Sequence, residues 1–128
     1  ALEKKEINIL GGKQKRPNIH ILDLVNVFIY FTEGRVKNGI YNAGFENLSI
    51  LDIGKRIQDT IDCKIIIKKS NDLRSYNLDS TKLLKTGFLP KYSINDAISE
   101  IKSAHQNGKL ILKPQWYSVK WLKSIKVI

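Results

Sequence analysis

Four short runs rich in apolar or β-branched residues predict the extended parts of this chain. The first, at residues 7–10, is stopped by Gly11-Gly12, and the third and fourth have the composition of buried strands. In the second, Pro17 excludes a helix just before it. The four runs are residues 7–10, 19–21, 40–43 and 63–67.

The helices are predicted from longer apolar stretches and from their capping residues. Residues 22–31 are apolar on nearly every side, which predicts a buried helix ended by Gly34. Ser49 with Asp52, and Ser93 with Asp96, have the spacing of a helix-opening capping box. The apolar faces of these two helices are Ile50, Ile53, Ile57 and Ile61, and Ile94, Ala97, Ile98 and Ile101, the second helix being closed by Asn107-Gly108.

A shorter helix is expected around Leu83 and Leu84, capped by Asp79 and ended by Gly87. Together these elements predict an α/β (mixed α+β) fold with short loops. The chain has 128 residues, of which 42% are hydrophobic and 27% are charged, so a packed core is expected rather than disorder.

Charge and cysteine content indicate the compartment of the protein and the class of partner it binds. Its single cysteine, Cys63, excludes an intramolecular disulfide, and a cytoplasmic location is the expectation. No apolar run approaches the roughly 20 residues of a membrane span. The net charge of +10 predicts an anionic partner. We divide the chain into a domain over 1–108 and a basic aromatic tail over 109–128, which carries five lysines with Trp116 and Trp121.

The patterns of several enzyme classes are missing from the sequence. There is no glycine-rich dinucleotide fingerprint between a strand and a helix. None of the five tyrosines is followed four residues later by a lysine. His20, His105 and Cys63 do not have the spacing of metal ligands. We therefore expect no catalytic residue and no metal site in this chain.

Two arginine-centred segments carry the most specific signal. Arg16 follows the glycine doublet in Gly-Gly-Lys-Gln-Lys-Arg-Pro-Asn-Ile-His-Ile-Leu-Asp, and Arg74 lies in Asp-Leu-Arg-Ser-Tyr. Two arginines on separate loops suit a diphosphate, because each planar guanidinium makes paired, charge-assisted hydrogen bonds. In order, six segments resemble the substrate-binding C-terminal part of extended short-chain dehydrogenase/reductases, the family of nucleotide-sugar epimerases and dehydratases. These segments are residues 7–24, 41–44, 46–50, 72–76, 83–90 and 92–98.

The resemblance implies a role for particular positions. Arg16 and Arg74 match the arginines that bind the diphosphate of the sugar nucleotide. Asn8 and Leu10 match positions that flank the nucleobase, and Gln14 is expected near the sugar or a phosphate. The positions of His20 and Asp23 are expected to fix the turn from strand to helix.

The resemblance also implies what the whole enzyme does. The family's N-terminal Rossmann domain, with its catalytic Tyr and Lys, would precede Ala1, so we expect this chain to be part of a larger NAD- or NADP-dependent enzyme. That enzyme would be an isomerase, a lyase or an oxidoreductase acting on nucleotide sugars, as in polysaccharide biosynthesis. The chain alone is expected to bind no dinucleotide and to be inactive, with the nucleoside-diphosphate sugar and the Rossmann domain as its partners.

Other hypotheses follow from the charge and the apolar surface. The alternative function is a small basic nucleic-acid-binding module, although the basic residues form no recognisable nucleic-acid motif. The tail could contact an anionic membrane peripherally, or pack onto the protein body. The helix at residues 22–31 has more apolar surface than a small domain covers easily, so we expect it to pack against the Rossmann domain or to drive dimerisation.

Overall fold

The computed structural model of the protein describes residues 1–72, 74–110 and 113–125. Strands and helices are mixed along the chain, so the predicted mixed α/β class is confirmed. A short 3₁₀ turn, Pro114–Trp116, precedes the last helix. The strands and α-helices are β1 (Glu6–Leu10), β2 (Lys15–Asn18), α1 (Ile21–Thr32), β3 (Glu46–Ser49), α2 (Ile50–Thr60), β4 (Lys64–Lys68), α3 (Thr81–Leu84), α4 (Ile94–Gln106) and α5 (Ser118–Ser124).

The strands form two separate two-stranded sheets. In the first, β1 pairs in parallel with β4, in a register that runs from Glu6 opposite Lys64 to Leu10 opposite Lys68. In the second, β2 pairs antiparallel with β3. Because parallel strands end at the same edge of a sheet, the loops that follow β1 and β4 lie side by side. The Gly11 N–H donates to the Lys68 carbonyl at 2.8 Å and joins these two loops.

Helix α2 connects β3 of the second sheet to β4 of the first sheet, and it packs closely on β1. It begins as predicted at Ser49, whose Oγ accepts from the Asp52 N–H at 3.0 Å and donates to the Asp52 carboxylate at 2.7 Å. Gly54 lies inside this helix, and a Cβ built there would sit 2.4 Å from Cδ1 of Ile9. The missing side chain therefore allows the close approach of α2 to the first sheet.

Helix α1 is longer and much less buried than the sequence predicts. It is followed by Gly34 at φ +70°. Of its apolar residues only Val27 is buried, where it packs with Leu83 and Phe88, while Phe28 is 66% exposed. The prediction of a buried helix is thus wrong for this chain, because no described element covers the outer face of α1. The excess of apolar surface on α1 is as expected, and what covers it stays a prediction.

Two of the predicted extended segments are wrong. In place of residues 19–21, the strand is Lys15–Asn18, and Ile21 already belongs to α1. Pro17 fits inside β2 because each strand of a two-stranded sheet is an edge strand. Residues 40–43 form no strand, and Ile40 is 88% exposed. Local propensity fails at this segment because none of the described strands pairs with it, so no ladder of hydrogen bonds can form.

Helix α4 packs against α2 and contributes to a second buried apolar cluster, separate from the one around Val27. Its capping box is reciprocal as predicted: the Ser93 Oγ accepts from the Asp96 N–H, and the Asp96 carboxylate accepts from the Ser93 N–H. Ile98 packs in a buried cluster with Ile61 and Cys63. In the described part of the chain, none of the helices is long and apolar enough to cross a membrane. The division at residue 108 stays a prediction.

Candidate diphosphate site

The glycine doublet after β1 turns the chain through a tight loop that leads to Arg16. Gly11 and Gly12 have φ values of +77° and +110°, a region that L side chains rarely adopt. The Gln14 side chain closes the loop, since its Oε1 accepts from the Gly12 N–H at 2.7 Å and its amide donates to the Leu10 carbonyl. The Leu51 N–H, in the first turn of α2, donates to the Gly12 carbonyl at 2.9 Å. The loop is therefore fixed from both sides.

The second arginine segment lies along β2, as two hydrogen bonds of Lys15 show. The Lys15 N–H donates to the Ser75 Oγ at 2.9 Å, and the Tyr76 N–H donates to the Lys15 carbonyl at 3.1 Å. These bonds join residues about sixty positions apart and bring Arg74 next to Arg16. The pairing predicted from the resemblance is thus present in space, although its role in binding stays a prediction.

Arg16 is held mainly by the backbone. Its Nη1 donates to the Lys15 carbonyl at 2.8 Å and to the Arg74 carbonyl at 2.7 Å. Its guanidinium carbon lies 5.1 Å from the centre of the Tyr76 ring, in the range of a cation–π contact. The side chain is only 29% exposed, so this guanidinium is fixed in place before any ligand arrives.

Arg74 is more exposed and is paired with a carboxylate. Its Nε donates to Asp72 Oδ1 at 2.7 Å and its Nη2 to Asp72 Oδ2 at 3.0 Å, a two-pronged contact. Arg16 reaches the same carboxylate, with Nη2 at 3.4 Å from Oδ2. The hydrogen bonds from Arg74, with the weaker attraction of Arg16, lower the pKa of Asp72 to about 2. Asp72 is therefore ionised at neutral pH and joins the two guanidiniums.

An open pocket of about 380 Å³ lies beside this cluster. The loop after β1 and the segment after β4 form its walls, and Lys13 adds a further positive charge. Its lining residues are Gly11, Lys13, Gln14, Ser70, Asp72 and Ser75. Lys13, the loop backbone and two serine hydroxyls suit an anion with several oxygens, whereas Asp72 adds one negative charge to the same lining. In contrast, the described residues that line the pocket include no histidine, cysteine or tyrosine that could act as a nucleophile or as a general base near neutral pH.

The other predicted site residues lie on β1 and in its loop. Asn8 and Leu10 are exposed on the same side of the strand, opposite the buried Ile9, as the alternation of a strand requires. The Asn8 amide donates to Glu6 Oε1 at 3.1 Å. The Gln14 amide makes both of its hydrogen bonds within its own loop, so this side chain has a structural role. The binding roles of these three residues stay predictions.

His20 fixes the turn into α1, as expected, whereas Asp23 makes its bonds to a distant segment instead of to that turn. The His20 Nδ1 accepts from the Leu22 N–H at 3.2 Å, so the imidazole caps α1, and its ring stacks on Tyr92 at 4.8 Å. The Asp23 carboxylate is fully buried and accepts from the backbone N–H groups of Lys91 and Tyr92 at 2.9 to 3.1 Å. These bonds tie α1 to the segment that enters α4.

Three residues of the site were not predicted as functional, namely Asp72, Ser75 and Tyr76. The signal for Asp72 was available, because an acidic residue two positions before an arginine can pair with it in a turn. The contacts of Ser75 and Tyr76 depend on the distant strand β2, which sequence spacing does not reveal. Among the described residues, no group of three His, Cys, Asp or Glu side chains could hold a metal ion.

Comparison with known proteins finds solved structures that share the fold of this chain. No protein-family model matches the chain. A solved structure of the protein RMD from Pseudomonas aeruginosa, complexed with NADPH, matches with a TM-score of 0.58 and 14% identity over 76% of this chain and 34% of the other. A GDP-6-OMe-4-keto-L-xylo-heptose reductase from C. jejuni matches with a TM-score of 0.63 and 23% identity, over 82% of this chain and 35% of the other.

Each match covers a part of a larger solved protein, and this chain shares the fold of that part. The resemblance drawn from the sequence is thereby confirmed at the level of the fold. The chain spans about a third of the length of the two solved structures. At these identities the likeness establishes the fold and does not by itself establish a substrate.

Proposed function

We propose that this chain binds the diphosphate of a nucleoside-diphosphate sugar through Arg16 and Arg74, as the substrate-binding part of an NAD(P)-dependent enzyme. One observation carries the proposal: two guanidiniums from segments 58 residues apart meet at a single carboxylate beside an open pocket. A carboxylate and a phosphate present similar oxygens to a guanidinium, so Asp72 occupies the position that a phosphate oxygen pair would take. The net positive charge of the chain favours the same class of ligand.

The proposed contribution of the chain to catalysis is orientation. Hydride transfer would be supplied by the nicotinamide cofactor of the complete enzyme, and a substrate held by its diphosphate would present the sugar to that cofactor. The names of the two structural neighbours, one a reductase and one complexed with NADPH, support an oxidoreductase as the parent. Epimerisation and dehydration remain alternatives, because the diphosphate contacts are compatible with all three reactions.

Replacing each arginine by glutamine tests the proposal on the 128-residue chain. Binding of GDP, UDP and dTDP would be measured by isothermal titration calorimetry at a fixed, low salt concentration. A charged hydrogen bond contributes about 1.5 to 3 kcal/mol when protected from water, and less at an exposed site. We therefore expect Arg16→Gln and Arg74→Gln to weaken the preferred diphosphate about tenfold each.

Arg35→Gln is the matched control. Arg35 is an exposed arginine paired with Glu33 after the end of α1 and is not among the residues that line the pocket, so its replacement removes the same charge outside the site. We expect it to leave the affinity within about twofold of wild type. Equal losses in all three variants would mean that only overall charge matters, and unchanged binding in the two site variants would refute the assignment.

The second candidate function is nucleic-acid binding, which the exposed aromatic residues of the tail favour. Trp116 is 51% and Tyr117 56% exposed, within a chain of net charge +10. Stacking of bases on such rings would give an affinity that falls steeply with salt and is lost in Trp116→Ala. A single-stranded oligonucleotide titrated at several salt concentrations tests this. Loss of binding in Trp116→Ala, with none in Arg16→Gln, would favour this candidate over the first.

A further inference from the structure

Asp72 is the carboxylate that the two arginines share. Its carboxylate faces both guanidiniums and also lines the open pocket. The Asp72 N–H is held by the Ser70 Oγ at 3.1 Å, and the Arg74 N–H donates to Asp72 Oδ1 at 3.1 Å. These two hydrogen bonds within the turn orient the Asp72 carboxylate towards the arginines.

The two arginines depend on Asp72 to different degrees. Arg16 has two backbone carbonyls and the Tyr76 ring to fix it, and its contact with Asp72, at 3.4 Å, is longer than its hydrogen bonds to the two carbonyls. Arg74 makes its two-pronged contact with Asp72, and its side chain is 71% exposed. Arg74 can thus leave the carboxylate at little cost to the fold, whereas Arg16 stays where it is.

We propose that Asp72 is an internal competitor for Arg74, which a bound diphosphate displaces, so that this carboxylate lowers the affinity of the site. The inference rests on the proposed function and adds a residue that limits binding. In the free protein the carboxylate cancels one of the two positive charges and occupies the fork of Arg74. A diphosphate must break that pair and approach a negative charge, and both effects weaken binding.

Electrostatics at neutral pH favours this competition. With its pKa lowered to about 2, Asp72 carries its charge throughout the physiological range. The pair between Asp72 and the exposed Arg74 is weak, and the repulsion between Asp72 and a phosphate opposes binding as well. Removing the charge should therefore strengthen the binding of a diphosphate rather than abolish it.

Asp72→Asn tests the competition, with inorganic pyrophosphate as the probe. Asparagine keeps the shape and one acceptor oxygen for the Arg74 N–H but removes the charge. We expect the dissociation constant measured by calorimetry to fall about three- to tenfold. Asp79→Asn is the control, because Asp79 is an exposed turn aspartate that accepts from the Thr81 N–H at 2.9 Å, and its replacement should change the affinity less than twofold.

A double-mutant cycle with Arg74→Gln separates competition from general charge. If Asp72 competes for Arg74, the gain from Asp72→Asn should be clearly smaller in the Arg74→Gln background, where only the relief of repulsion between residue 72 and the probe remains. An undiminished gain in that background, or a weaker affinity in Asp72→Asn, would overturn the inference. If pyrophosphate binds wild type in an arginine-dependent way and Asp72→Asn binds equally well, only the competition is wrong. If no variant binds pyrophosphate, the proposed function fails together with it.

Discussion

Gly54 sets the distance between helix α2 and strand β1, and replacing it by alanine should push the two apart. A Cβ at this position would lie 2.4 Å from Cδ1 and 3.6 Å from Cγ1 of Ile9, and 3.8 Å from Cδ1 of Ile65. Carbon atoms pack favourably at about 3.5 to 4.0 Å, so the first contact is roughly 1 Å too short. Ile9 is 2% exposed, and its side chain therefore has little space into which to move.

Two opposing effects determine the size of the change. Overfilling a packed core costs about 1 to 3 kcal/mol. Alanine also stabilises a helix interior by about 0.5 to 1 kcal/mol relative to glycine. We expect Gly54→Ala to lower the free energy of unfolding by about 1 to 2 kcal/mol. With a urea m-value of about 2 kcal/mol/M, the unfolding midpoint should fall by roughly 0.5 to 1 M.

The companion substitution Ile9→Val identifies the clash as the cause. Valine lacks the Cδ1 atom, and in the wild-type background its cavity should cost about 0.5 to 1.5 kcal/mol. Combined with Gly54→Ala, the same change should cost nothing or restore stability, a coupling of about 1 kcal/mol in urea unfolding followed by circular dichroism. Ile7→Val, on the same face of β1, is the control and should be additive with Gly54→Ala. A stabilised Gly54→Ala protein, or an equal cost of Ile9→Val in both backgrounds, would refute the reasoning.

Three further predictions concern the site, the buried carboxylate and the exposed helix. Because the folded-state pKa of Asp72 is lowered from 3.8 to about 2, its stabilisation should be complete well above pH 3.8 and lost as the pH falls towards 2. The stability difference between wild type and Asp72→Asn should follow that course in urea titrations. Asp23→Ala removes the buried acceptor of the partly buried N–H groups of Lys91 and Tyr92 and should cost about 3 kcal/mol in unfolding free energy, with Asp23→Asn costing less. Phe28→Ser should reduce concentration-dependent self-association in sedimentation velocity, and a wild-type protein that stays monomeric would contradict the expected dimer.

Local chemistry written in the sequence accounts for most of the helices and for two of the strands. The capping residues Ser49 and Ser93 act on N–H groups three positions away, so their effect does not depend on the rest of the fold. Gly11 and Gly12 stop β1 for an equally local reason, since their positive φ values suit glycine. The ordered segments also indicated the fold, which the solved structures confirm.

Pairing between distant segments was decided only by the tertiary structure. Residues 40–43 have the composition of a strand, but none of the described strands pairs with them. Pro17 can lie in β2 because a residue on an edge strand does not need a backbone N–H donor on its open side. The sequence indicated the two arginines of the proposed site, Arg16 and Arg74. Their meeting at Asp72 required the parallel pairing of β1 with β4 and the docking of residues 74–76 along β2, contacts across about sixty residues that no local pattern encodes.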